Sequence, residues 1–140
     1  MKTFSTSLEI HASCQRVWDV LIEDLTRDPR PFGIIRIDGK IAPGGRIKLW
    51  SEVDPKRAFA LRVVTMVAPE IMIWKGGMPL GLFSGTRTFH MRFLGHSTQF
   101  EMQEVFDGVL AKLITRSIPD LTPSFEKFAR TLKEKAESDG

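Results

Sequence analysis

Two ionisable residues stand in otherwise apolar company in this sequence, and their spacing decides what chemistry they can do. The stretch GTRTFHMRFLGHSTQFEMQEVFDG, from Gly85 to Gly108, holds two alternating runs on either side of a Gly95-His96 pair. A tight turn at that pair makes the position sums of antiparallel partners constant. Arg87 then faces Glu104, Phe89 faces Met102 and Met91 faces Phe100, with Phe93 and Phe106 on the same side. An unpaired buried charge is costly, so the opposition predicts an ion pair in an apolar wall. Two roles fit the pair: orienting the polar head of a small hydrophobic ligand, or fixing the strand register. A guanidinium beside a carboxylate is expected to lower the carboxyl pKa, which leaves a weak base at neutral pH and argues against acid-base catalysis.

The other chemistry-bearing residues do not assemble. His90 falls on the face opposite Phe89 and Met91, His96 sits in the turn and His11 ends the first alternating run, so no metal site is expected. Cys14 is the single cysteine. It excludes an internal disulfide, cannot make a metal site alone, and fits a reducing, cytoplasmic compartment. No phosphate-binding loop or Ser-His-Asp motif is present, and Gly76, Gly77 and Gly81 are too irregular for a nucleotide fingerprint, so no cofactor is expected. Those glycines suit a loop that moves at a cavity mouth. Trp74, and less so Trp50, could line a cavity or stack on a ligand.

These residues need elements to position them. Residues 3 to 10, TFSTSLEI, alternate and read as a strand. Ser13 then caps a helix whose apolar stripe is Val17, Trp18, Leu21, Ile22 and Leu25, stopped by Pro29 and Pro31. From Phe32 the period is two, with strands expected at 33–41, 46–53, 59–68 and 71–76, separated by Pro43-Gly44-Gly45, Asp54-Pro55-Lys56 and Pro69-Glu70. The hairpin follows, completing a meander of six strands. After Gly108, Leu110, Leu113, Ile114, Ser117, Leu121, Phe125, Phe128 and Leu132 fall along one side of a helical run of about 25 residues. Pro119 and Pro123 should kink or break it near 117–123, with Thr122 as a new cap and Pro123 at the first helical position.

The chain has 140 residues, enough for one domain, expected to span residues 1–140. It is 42% apolar and 26% charged, ordinary proportions for a globular domain. Its 20 basic and 17 acidic residues give a net charge of +3 and are interleaved, so no basic face points to nucleic acid. Residues 1 to 12 lack the apolar core of a signal peptide. Arg62 and Glu70 interrupt the most apolar region, so no membrane span is expected.

Several stretches taken in order carry a family likeness. They are LEIHASCQRVWDVL, the Pro-Gly-Gly turn at 43–45 before IKLW, VAPEIMIWKGG, GTRTFHMRFL, the run from Thr98 through Glu104 to Gly108, and the ending FEKFARTLKEKAE. Together they resemble the START-like (SRPBCC) superfamily of polyketide cyclase/dehydrase and lipid-transport type. That resemblance implies an α+β helix-grip fold, like START domains and the birch pollen allergen: a curved seven-stranded antiparallel sheet wrapped around a long C-terminal helix. It also implies a cavity for lipids, polyketides, quinones or other apolar molecules. The superfamily has no shared catalytic motif, so no catalytic residue carries over.

The expected function is therefore binding or carriage of a small hydrophobic molecule between sheet and helix, by a monomer or homodimer. The expected ligand-binding set is Arg87, Glu104, Phe89, Met91, Phe100, Met102 and Trp74 on the sheet. Leu110, Leu113, Ile114, Ser117 and Leu121 form the helical lid. Two alternatives follow from the same resemblance: a polyketide cyclase/dehydratase-type enzyme, and a protein-interaction module like the activator domain of the Hsp90 chaperone.

Overall fold

Period-two runs become strands and the early 3.6-period run becomes a helix in the computed structural model, which describes residues 1–138. The order is β1 (Lys2–Ile10), α1 (Cys14–Arg27), a 3-10 turn (Arg30–Phe32), β2 (Ile34–Asp38), β3 (Arg46–Ser51), β4 (Asp54–Val67), β5 (Ile71–Met78), β6 (Phe83–Phe93), β7 (Thr98–Asp107), α2 (Ala111–Thr115) and α3 (Thr122–Glu137). The strands make one antiparallel sheet in the order β1-β7-β6-β5-β4-β3-β2. Strands β2 to β7 are thus the expected meander, and β1 returns beside β7.

The central hairpin has the register that its sequence predicts. Arg87 pairs with Glu104, Phe89 with Met102 and Met91 with Phe100. Leu94 N–H donates to the Ser97 carbonyl at 3.0 Å, leaving Gly95-His96 as the turn, with Gly95 at φ +97°, a conformation glycine adopts without strain. Phe93 differs from the expectation: it is 73% exposed, because the strand has already passed the edge of the core there.

Strand β4 starts earlier than its punctuation indicates. Ser51 pairs with Asp54 and Trp50 with Ala58, so Pro55, Lys56 and Arg57 form an irregular insertion inside the strand. Proline is tolerated there because its missing N–H falls outside the ladder. Further register shifts interrupt the β2/β3 and β4/β5 ladders. Bulges of this kind bend strands and increase their twist, and the sheet curls into a half-barrel.

Helix α3 fills that curl. Phe125 reaches Phe4 of β1 with ring centroids 6.4 Å apart, and Phe128 reaches Phe32 beside β2 at 4.9 Å, so one helix touches both edges of the sheet. Its carboxyl end is tied to α1 by the Arg16 guanidinium, which donates to the carbonyls of Lys135, Ala136 and Ser138 at 3.3 Å each. Helix α1 begins where expected, with Ser13 Oγ accepting from Arg16 N–H at 3.1 Å.

The terminal helical run is broken, not merely kinked. Helix α2 stops at Thr115 and α3 starts at Thr122, since Pro119 and Pro123 supply no backbone donor for a continuous ladder. Thr122 is not the cap. Leu121 occupies that position without a side-chain hydrogen bond, and Pro123 lies in the second helical place. Thr122 N–H instead donates to Asp120 Oδ1 at 3.0 Å. Among the described residues no helix is long and apolar enough to cross a membrane.

Candidate functional site

The inner face of the sheet presents its side chains in cross-strand rows. One row runs Phe4, Glu104, Arg87, Trp74, Val63 across five neighbouring strands. The next, two residues along each of the middle strands, runs Thr6, Met102, Phe89, Met72. Trp74, Phe89, Phe100, Met91 and Met102 are all at most 2% exposed. Phe128 of α3 closes over them, 5.7 Å from Phe89 and 6.4 Å from Phe100 between ring centroids.

The polar row is incompletely satisfied. Arg87 Nη2 and Glu104 Oε1 are 3.6 Å apart, an ion pair longer than a hydrogen bond. The Arg87 guanidinium lies over the Phe125 ring, 5.0 Å from its centroid. Among the described residues three buried side-chain polar atoms lack a hydrogen-bond partner: Trp74 Nε1, Arg87 Nε and Glu104 Oε2. All three belong to consecutive members of this one row.

The electrostatics reverse the expectation for Glu104. Its carboxyl pKa is raised above the ordinary value, because burial disfavours the ionised form more than the charge of Arg87 favours it. The reason is geometric. The loose contact attracts without replacing the lost water, and the second carboxylate oxygen has no partner. A carboxylate raised in this way is a stronger base than an ordinary salt-bridged one.

A cavity of about 50 Å³ adjoins this row, with Arg87 and Met102 on the sheet side and Leu121, Ser124, Phe125 and Phe128 on the α3 side. It is much smaller than the roughly 300–1,000 Å³ of a typical small-molecule pocket. The expected space between sheet and helix is thus mostly occupied by aromatic side chains.

The sequence-predicted residues divide by position. Trp74, Phe89, Met91, Phe100 and Met102 form the buried wall, Arg87 and Glu104 sit within it, and Leu121 reaches the cavity. Leu110 and Ile114 are half-buried. Leu113 is 64% exposed and Ser117 is exposed. They depart from the expected lid stripe because α2 is short and turns Ala111, only 2% exposed, towards the sheet. Trp50 is only half-buried and lies beneath Arg36.

Sequence reasoning put Phe125 and Phe128 on the helical stripe and outside the expected ligand-binding set, yet both line the cavity. It also missed that Trp74 lies opposite Arg87. A constant-sum register through a turn at Leu80-Gly81 carries that signal. Among the described residues no three His, Cys, Asp or Glu side chains converge as a metal would need.

This sheet, its order and its gripped helix are the START-like helix-grip fold, in a seven-stranded α+β form. A truncated norcoclaurine synthase from Thalictrum flavum has a TM-score of 0.73 at 14% identity, covering 99% of this chain and 95% of that one. The di-domain ARO/CYC StfQ from the steffimycin biosynthetic pathway has a TM-score of 0.71 at 13% identity, covering 96% of this chain and 50% of that one. A hypothetical protein from Helicobacter pylori has a TM-score of 0.71 at 12% identity, covering 97% and 88%. No protein-family model matches the chain, and no curated protein matches it in sequence. At these identities the likeness is one of fold.

Proposed function

We propose that this protein binds a small hydrophobic ligand of lipid, polyketide or quinone-like kind between the sheet and α3, with its polar end against Arg87 and Glu104. One observation carries this reading: three unpartnered polar atoms stand in consecutive members of a single row in an otherwise apolar wall, and one of those members, Arg87, lines the cavity. A buried polar group without a partner costs on the order of 1–3 kcal/mol, and a ligand oxygen or hydroxyl at that row would relieve it. Solved proteins of the same fold include a synthase and an ARO/CYC protein, which is consistent with an apolar guest.

Binding requires opening, given a gap of about 50 Å³. The segment from Gly108 to Leu121 is the part suited to move, because α2 has five residues and a non-helical stretch with Pro119 separates it from α3. Helix α3 is better anchored. Thr131 Oγ1 donates to the Pro31 carbonyl at 2.9 Å, and Lys133 Nζ to the Glu9 carbonyl at 2.9 Å.

A second reading, a cyclase/dehydratase-type enzyme, is favoured by the raised carboxyl of Glu104, which would exchange a proton with the bound ligand. Organic extraction and native mass spectrometry of the purified protein test the first reading. An apolar molecule is expected on the wild type and not on Leu121→Trp, which fills the gap. A bare wild type that also takes up no fatty acid or quinone probe, or equal binding by L121W, sinks it. For the second reading, Glu104→Gln should keep the ligand and lose its turnover.

A further inference from the structure

One end of the molecule exposes aliphatic side chains that the core does not use. Leu80 is 94% exposed, Val109 78% and Leu113 64%, with Met78 and Leu82 also in solvent. Two backbone hydrogen bonds make them one surface: Val109 N–H donates to the Gly81 carbonyl at 3.2 Å and Leu110 N–H to the Leu82 carbonyl at 2.9 Å. Leu80 sits at the tip of the β5–β6 turn with φ +61°, a left-handed conformation unusual for a leucine. Contiguous exposed apolar surface of this kind marks an interaction site.

Charge indicates the partner. Lys112 and Leu113 of α2, with Val109 just before it and Arg116 at its end, are all exposed. Ala111, 2% exposed, and the half-buried Ile114 and Thr115 turn the other way. The acids that flank α2 along the chain are Asp107 and Asp120. Asp107 Oδ1 accepts from Gly108 N–H at 2.9 Å, and Asp120 Oδ1 accepts from Thr122 N–H at 3.0 Å with Lys2 nearby. Each acid is engaged with the backbone at one end of the segment, while the face between them carries only aliphatics and cations. That composition belongs to a surface lying in a lipid headgroup layer: aliphatics enter the acyl boundary and cations meet lipid phosphates.

We propose that this end of the protein, formed by the β5–β6 turn and α2, docks on an anionic bilayer surface. Leu80, Val109 and Leu113 enter the headgroup boundary, and Lys112 and Arg116 face the phosphates. The site does not depend on the ligand reading, although the cavity beside Arg87 opens towards the same end of the sheet, where β3 turns into β4 and α3 begins.

Flotation of the full chain with phosphatidylcholine vesicles, with and without phosphatidylglycerol, tests it. Binding is expected to the anionic vesicles, to weaken with salt, and to fall about fivefold for each cation removed in Lys112→Gln and Arg116→Gln. Combined Leu80→Ser, Val109→Ser and Leu113→Ser should lower binding at least tenfold, with an unchanged circular-dichroism melt showing that the fold persists. No flotation with anionic vesicles overturns the proposal, as does equal flotation of the triple serine variant. A concentration-dependent dimer abolished by the same serines, without vesicle binding, would assign the surface to a second copy of the chain and also overturn it.

Discussion

Two adjacent rows of the same sheet are built from the same strands under the same helix, and they differ in what their side chains leave unfinished. The row through Met102, Phe89 and Met72 is apolar, at most 1% exposed, and met by Phe128. The row through Glu104, Arg87 and Trp74 is less tightly enclosed, with the Arg87 and Glu104 side chains 21% and 13% exposed, and three of its polar atoms have no partner. Apolar burial needs no directional partner, so the first row is complete once it is packed. The second is complete only when something supplies hydrogen bonds. The difference separates a wall whose packing is finished from a wall whose polar atoms are left unpaired.

The largest effect should come from the finished row. Phe89→Ala removes a fully buried ring between Trp74 and Phe128, and a loss of about 3–5 kcal/mol is expected in urea unfolding. A loss under about 1 kcal/mol would show that this row is not the core and would break the contrast. The unfinished row should respond differently. Arg87→Met alone is expected to cost about 1–3 kcal/mol, less than for a fully buried pair because the two side chains keep 21% and 13% exposure. Adding Glu104→Leu to Arg87→Met should recover most of that loss, because two apolar groups restore a wall with no orphaned charge. If the double variant is no more stable than the single one, the pair holds the fold and the two rows are alike.

Much of the first row was legible and less of the second. Alternation and the Gly95-His96 turn are local signals, and the Phe89–Met102 and Arg87–Glu104 pairings follow from them directly. The strand order followed from short turns between antiparallel neighbours. The depth of burial around Glu104 was not legible. Pairing alone predicts a lowered carboxyl pKa, and burial raises it instead, in a fold where α3 brings Phe125 onto Arg87 from 38 positions along the chain. The volume of the gap was also hidden, since it depends on how far the Phe128 ring penetrates between Phe32, Phe89 and Phe100. Leu113 fell on the expected stripe of an unbroken helix. Once the prolines split the run, the short α2 took its own rotation and left that residue in water.

The smallest effect is a slope and not a loss, and it tests the electrostatic half of the comparison. In the unfolded chain Glu104 titrates near the ordinary value of 4.5, and in the folded chain above it. Between those two values the folded protein binds more protons than the unfolded one, so stability falls as pH rises through the window and is level beyond it. Glu104→Gln removes that titration. The stability of the wild type minus that of the variant, read from urea midpoints at a series of pH values, should therefore decrease upward from about pH 4.5 and then flatten. Asp28, held low by its hydrogen bond to Arg30, and Glu137, held low by Lys133, impose the opposite slope. They do so in both proteins and cancel in the difference. A difference that increases with pH would mean that the Arg87 charge outweighs burial, making the pair an ordinary salt bridge and leaving the second row as complete as the first.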